Sequence, residues 1–222
     1  DWSSDVCSSD LNGGGSLQEA VDLAGLFIDR GPVVQVRSKF QDYRVLEDVN
    51  AGSVWDGPLV ILINHNSASA SEILSAAIQD YKRGLVIGST STYGKGTVQR
   101  NIGLEPNNAL LNKDLGEIGT LKLTLQKFYR INGGSTQLKG VSPNIVLPDQ
   151  YENLKYREKD NPDALPWDEI QKANYPVFGP DYESALVMQR SAERVNANPI
   201  FNAIKESTAL TEKLNQKVYS LQ

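Results

Sequence analysis

The stretch LVILI, residues 59–63, constrains this chain more than any other. Five aliphatic residues follow Gly57-Pro58 and lead into a polar turn, the pattern of a strand buried on both faces. Such a strand belongs in a parallel sheet covered by helices. The next segments agree. Ile73, Leu74, Ala77, Ile78 and Tyr81 fall at helical spacing, and Gly84 ends the helix. LVIG, residues 85–88, reads as a second short buried strand. Strand, helix and strand together predict a right-handed parallel βαβ unit, and so an α/β fold.

The flanking segments extend this plan. Leu17, Val21, Ala24 and Ile28 predict a helix over 17–30, stopped by Gly31-Pro32. VVQVR, 33–37, reads as a strand, and 38–58 as a polar, turn-rich connection. In 121–131, Leu121, Leu123, Leu125, Tyr129 and Ile131 alternate with polar residues, though Lys127-Phe128 breaks the pattern. That predicts a strand with one wet face, turning at Asn132-Gly133-Gly134. Residues 141–148 read as a last strand closed by Pro148. Beyond 149 the composition becomes polar, charged and punctuated by proline. This reads as a linker docking through Leu165, Trp167 and Ile170, followed by a mostly helical 181–222 with a break near Pro199.

The opening DWSSDVCSSD has no apolar period and resembles a translated sequencing adapter. Residues 1–10 are therefore set aside, as processing and cloning scars are. The formal charge of −5 becomes −2 without Asp1, Asp5 and Asp10, and the only cysteine, Cys7, goes too. With one histidine and no thiol, a Cys/His zinc site is excluded, and no cofactor is expected. The charge balance does not suggest nucleic acid or an anionic membrane surface. No apolar run approaches the roughly 20 residues of a membrane-spanning helix.

Between strand 59–63 and its helix lies NSASASE, residues 66–72. Ser69 followed by Glu72 has capping-box spacing, and small residues let a helix start pack closely on a sheet. A catalytic reading needs a base, because a serine hydroxyl is a weak nucleophile by itself. His65 lies four residues before Ser69 at a strand end and reads as a partly solvated residue. Triads usually take their histidine from another element, and no G-x-S-x-G elbow is present. Lysine is the remaining candidate. An ordinary lysine is protonated at neutral pH, and only burial among small or apolar groups frees its lone pair. Lys95 in TYGKGTV fits best, between two glycines and with no acid in the ten residues before it. The phosphate-loop pattern fails, since Gly96 follows Lys95 and Ser89 holds the first-glycine position. Gln99, four residues after Lys95, is spaced to share its face and could hold an amine without adding charge.

NGGGSLQEAV, GPLVILINHNSASASEI, GSTSTYGKGTVQ, LQKFYRINGGSTQLKGVSPNIVLP and DALPWDEI, in that order, resemble the bacterial C-terminal processing, or tail-specific, serine proteases. The resemblance runs from about Asn12 to Tyr175 and is closest to the larger tail-specific branch. It implies a crotonase/ClpP-like α/β catalytic core with parallel βαβ units over 11–148. The start of a mainly helical C-terminal domain would occupy 149–222. It implies Ser69 as nucleophile, Lys95 as base and Gln99 as its orienting amide. The oxyanion hole would come from the Ala70 amide and the run Gly13-Gly14-Gly15, with Gly14 or Gly15 as donor. The GSTSTYGKG loop is one residue longer than the commonest family version.

The resemblance further implies protein substrates with accessible apolar C-terminal tails and a periplasmic or cell-envelope location. A PDZ domain and a first core strand are expected upstream of the glycine run, where the adapter-like segment stands. Membrane association would arise only through that upstream region, and the oligomeric state is open. Two other classes remain: a catalytically silent polypeptide-binding fragment, and a crotonase-like acyl-CoA enzyme.

Overall fold

The computed structural model describes residues 6–8, 12–39, 41–104, 119–178 and 184–217. Its elements in chain order are β1 (Val6–Ser8), α1 (Leu17–Gly25), β2 (Gly31–Ser38), β3 (Gln41–Asp48), β4 (Val60–Ile63), α2 (Ala70–Asp80) and β5 (Leu85–Gly88). They continue with β6 (Thr97–Gly103), β7 (Thr120–Tyr129), β8 (Ile145–Val146), a 3-10 turn at Glu158–Asp160, α3 (Ser184–Ala197) and α4 (Pro199–Asn215). The chain thus mixes α and β structure and has a helical C-terminal part.

Among the described residues, two four-stranded sheets form. One is parallel, in the order β1-β4-β5-β8. The other is antiparallel, in the order β3-β2-β7-β6. The expected βαβ unit is β4, α2 and β5, in register from Val60 opposite Leu85 to Ile63 opposite Gly88. Ile61 and Ile63 are buried, while Val60 and Leu62 are half-buried, so β4 is less enclosed than its composition predicts.

The core gathers Val21, Ala24 and Ile28 near α1, Val34 and Val36 of β2, Ile61 and Ile63 of β4, Ile73 and Ile78 of α2, and Phe128 of β7. Helix α2 packs on both β5 and β2 and so bridges the sheets. At its end, the Tyr81 hydroxyl donates to Pro32 O at 3.0 Å.

Several expectations change. Helix α1 ends at Gly25, where the Leu26 and Phe27 amides turn back onto the last carbonyls. The connection 38–58 contains β3, which pairs antiparallel with β2. Its side chains are mostly solvent-facing, so no apolar run marked it. The apolar side of 121–131 is core only at its end: Tyr129 and Ile131 are buried, but Leu121, Leu123 and Leu125 are exposed. They lie on the part of the β6–β7 hairpin that extends past the core, and burial begins at Phe128 and Tyr129. A register shift after Val98 marks the change. Strand β8 is only two residues long.

At the parallel sheet's edge, the sequence reading left the first strand absent. In the structure the backbone of Val6–Ser8 runs parallel to β4 there, Cys7 opposite Ile61.

The linker docks through Trp167, whose indole donates to Ser135 O at 2.8 Å, and through the Ile170 amide on Gly133 O. Leu165 is exposed. The break near Pro199 is as expected: Asn198 caps α4, with proline in its first turn.

Candidate active site

Strand β4 delivers the chain to the turn 64–69, and α2 starts at Ala70. Ser67 is fully buried, and its hydroxyl accepts from Asn64 N at 3.1 Å, which closes the turn. Ser71 Oγ donates to Asn12 O, which also accepts from Ala68 N. Both serines therefore hold the turn together.

Ser69, between them, is different. It adopts φ 57°, ψ −112° at the N-cap of α2. A non-glycine residue there costs on the order of 1–3 kcal/mol and persists only where its surroundings enforce it. Its side chain faces the start of α2 as in a capping box but makes no cap hydrogen bond. The other half of the box is firm, Ser69 N donating to Glu72 Oε2 at 2.7 Å.

Glu72 is the residue that sequence reasoning undervalued. Read as a helix-start residue, it is fully buried and takes four hydrogen bonds. Oε1 accepts from Thr92 Oγ1 at 2.5 Å and Gly94 N at 2.7 Å. Oε2 accepts from Ser69 N and from Lys95 N at 3.0 Å. One carboxylate therefore joins the backbone of Ser69 to the backbone of Lys95. Burial pushes its pKa up to about 7, against the opposing pull of the four donors. The available signal was a glutamate placed among residues whose period points into the core.

Lys95 is half-buried. Its neighbour Gly96 is required by space, because a Cβ there would lie 2.7 Å from Gln137 N and 2.8 Å from Ser135 Oγ. None of the ion pairs among the described residues involves Lys95. No hydrogen bond joins Lys95 to Ser69. Both line one cavity of about 140 Å³, together with Gly15, Ala70, Thr97, Gln99 and Phe128. Gln99 reaches that cavity, but its amide donates to Thr124 Oγ1 at 3.4 Å rather than to Lys95.

The glycine run closes over Ser69. Gly14 has φ +100°, and a Cβ on it would meet Ser69 Cβ at 2.7 Å and Ala68 O at 2.8 Å. Its amide is occupied by Asn12 Oδ1 at 3.0 Å. The Gly15 and Ala70 amides make no hydrogen bond among the described residues, and both residues line the cavity. Of the two glycine candidates, Gly15 is thus the one with a free donor. Ala70 N–H stands at a helix N-terminus, where backbone donors favour an anion. A second cavity of about 200 Å³ adjoins Gly15 and Ala70 and is walled by Ala20, Leu23 and Leu74.

His65 is not the partly solvated residue expected. It is 4% exposed, and its Nδ1 lies 2.6 Å from Asp149 Oδ2.

With this geometry in place, the chain belongs to peptidase family S41, which it matches over residues 10–147. Residues 151–222 match the C-terminal domain of tail-specific protease. The chain is 45% identical over 215 residues to a tail-specific protease of Haemophilus influenzae, covering 95% of this chain and 30% of that protein. It is 34% identical to the carboxy-terminal processing protease CtpA of Bacillus subtilis, over 67% of this chain and 30% of that one. The solved photosystem II D1 C-terminal processing protease is similar in structure, with TM-score 0.52 and 32% identity. That match covers 64% of this chain and 34% of the other. The chain spans about a third of the length of these relatives.

Proposed function

We propose that this chain carries the reacting groups of a serine endopeptidase of the C-terminal processing type. The observation that carries the reading is the shared cavity. Ser69 in a strained conformation, Lys95 without an ion-pair partner and two unoccupied amides all border it.

In this reading Ser69 Oγ attacks the scissile carbonyl carbon while its proton passes to the Lys95 amine. The carbonyl oxygen becomes an oxyanion held by the Ala70 and Gly15 amides, a stabilisation typically worth about 3 kcal/mol per donor. Lys95 then returns the proton to the leaving amine, and an acyl-enzyme remains on Ser69. Water, deprotonated by Lys95, hydrolyses that ester. Gln99 acts at the cavity mouth and turns toward Lys95 when substrate displaces its contact with Thr124. Glu72 keeps the two reacting side chains on one frame.

The names of the relatives and the apolar walls of the neighbouring cavity support polypeptides with accessible apolar C-terminal tails as substrates. Selection of such tails by a PDZ domain, in a periplasmic or cell-envelope setting, belongs to the same reading.

A fluorophosphonate probe tests the reading. Labelling of Ser69, abolished in Ser69→Ala and reduced by at least about 10³-fold in Lys95→Ala, is expected. Full labelling of Lys95→Ala would sink the dyad. No labelling of the wild-type chain would favour a silent polypeptide-binding role.

A further inference from the structure

The segment that follows β8 reaches back to both turns of the site. Asp149 Oδ2 pairs with His65 Nδ1 and also accepts from Ser89 Oγ at 2.5 Å. Burial would raise the Asp149 pKa, but hydrogen bonds from Ser89, the Tyr151 amide and His65 outweigh it and hold the carboxyl below its usual value. The His65 ring sits edge-on to Tyr151 and Tyr156, with centroids 5.4 and 5.2 Å away. Next to it, the Tyr156 hydroxyl donates to Asn66 Oδ1 at 3.0 Å.

Glu158 covers the other turn. Its amide donates to Tyr93 O at 3.1 Å, and the Tyr93 amide in turn donates to Ser67 O at 2.9 Å. Its carboxylate accepts from Gln137 Nε2 at 2.9 Å, while Gln137 Oε1 accepts from Gly96 N at 2.8 Å. The segment's own shape is fixed by Arg157, which is buried and donates twice to Glu152.

One ten-residue stretch therefore holds His65 and Asn66 just before Ser69 and, on the Lys95 turn, Tyr93 directly and Gly96 through Gln137. Apart from the two ring contacts on His65, these are directional hydrogen bonds between polar groups. Hydrogen bonds of that kind set geometry more narrowly than burial does.

We propose that residues 149–158 form a clasp that sets the spacing of the Ser69 and Lys95 turns. Asp149, Tyr156 and Glu158 are then positioning residues of the site. The first part of the C-terminal region is a component of the reacting geometry. Only the activity arm of the test rests on the peptidase reading.

The test uses the full chain with Tyr156→Phe, Asp149→Ala, both together, and Asp149→Asn. Tyr156→Phe removes one hydroxyl and keeps the ring against His65, so its folding is not at risk. Amide exchange across 64–69 and 93–96 is expected to rise about ten-fold in the double variant, with β2, β4 and α2 unchanged. Fluorophosphonate labelling and kcat should fall by about ten-fold or more with KM unchanged, as for a small misplacement of reacting groups. Asp149→Asn, which keeps the acceptor for the Tyr151 amide, should recover part of both.

Wild-type exchange and labelling in the double variant would overturn the clasp. So would exchange that rises equally throughout the chain. If the wild-type chain itself does not label, the peptidase reading fails, and the exchange data alone decide the clasp.

Discussion

The Ser69 turn and the β6–β7 hairpin meet at the same cavity, yet they are held in different ways. Around Ser69 most polar groups have a hydrogen-bond partner: Ser67 with Asn64, Ser71 with Asn12, and the buried Glu72 with four donors. Beyond Val98 the hairpin leaves the core, and Leu121, Leu123 and Leu125 face solvent at 36–46% exposure. The difference shows where precision is built. A serine held in a strained conformation needs a surrounding that over-determines it. Among the described residues the hairpin's outer half is held mainly by its ladder, so substitutions there should report on partners and not on the fold.

Removing the Glu72 carboxylate is the sharpest way to break the contrast. Glu72→Ala leaves four donors unpaired in a buried site, at about 1–3 kcal/mol each. A loss above about 4 kcal/mol in urea unfolding is expected, with no labelling of Ser69. A loss below 1 kcal/mol would show that the frame is not set there.

The same carboxyl gives a pH signature. Its native pKa, about 7, lies above the ordinary glutamate value of 4.5. Between those values the native chain keeps a proton that the unfolded chain has lost. Its contribution to stability is therefore complete below about pH 4.5, falls as the pH rises and levels off above about pH 7. The change is on the order of 3 kcal/mol. Comparing the pH slope of unfolding free energy in wild type and Glu72→Gln isolates it. An identical slope in both would contradict the assignment.

Gly14→Ala comes next, at about 2 kcal/mol, because both the backbone angle and the approach to Ser69 exclude a Cβ. The loss of probe labelling should exceed the loss of stability, since the clash falls on Ser69, the proposed nucleophile. At the small end, Leu123→Ser should change the unfolding free energy by no more than about 0.5 kcal/mol. A larger loss would mean that the hairpin's apolar face is covered within the folded chain.

Much of the parallel sheet was legible locally. LVILI, the helical period of Ile73 to Tyr81, and LVIG each state their neighbours' geometry within a few residues. Ser69 and Lys95 were legible too, as small-residue contexts on either side of that unit. β3 was not, because a strand lying mainly in solvent carries no apolar run. The exposed leucines of β7 misled for the complementary reason. Alternation tells which side of a strand is apolar, not whether anything covers it.

The sequence by itself determined the βαβ unit and the family, and singled out Ser69 and Lys95 as the proposed reacting pair, because these depend on short-range pattern and on residue identity. Tertiary structure alone decided that Glu72 ties Ser69 to Lys95 and that Asp149 grips His65. It also decided that Gly15, not Gly14, keeps a free amide. Those facts join groups up to 84 positions apart. Hydrogen bonds act over about 3 Å, so only the path of the chain through two sheets determines which distant groups come that close.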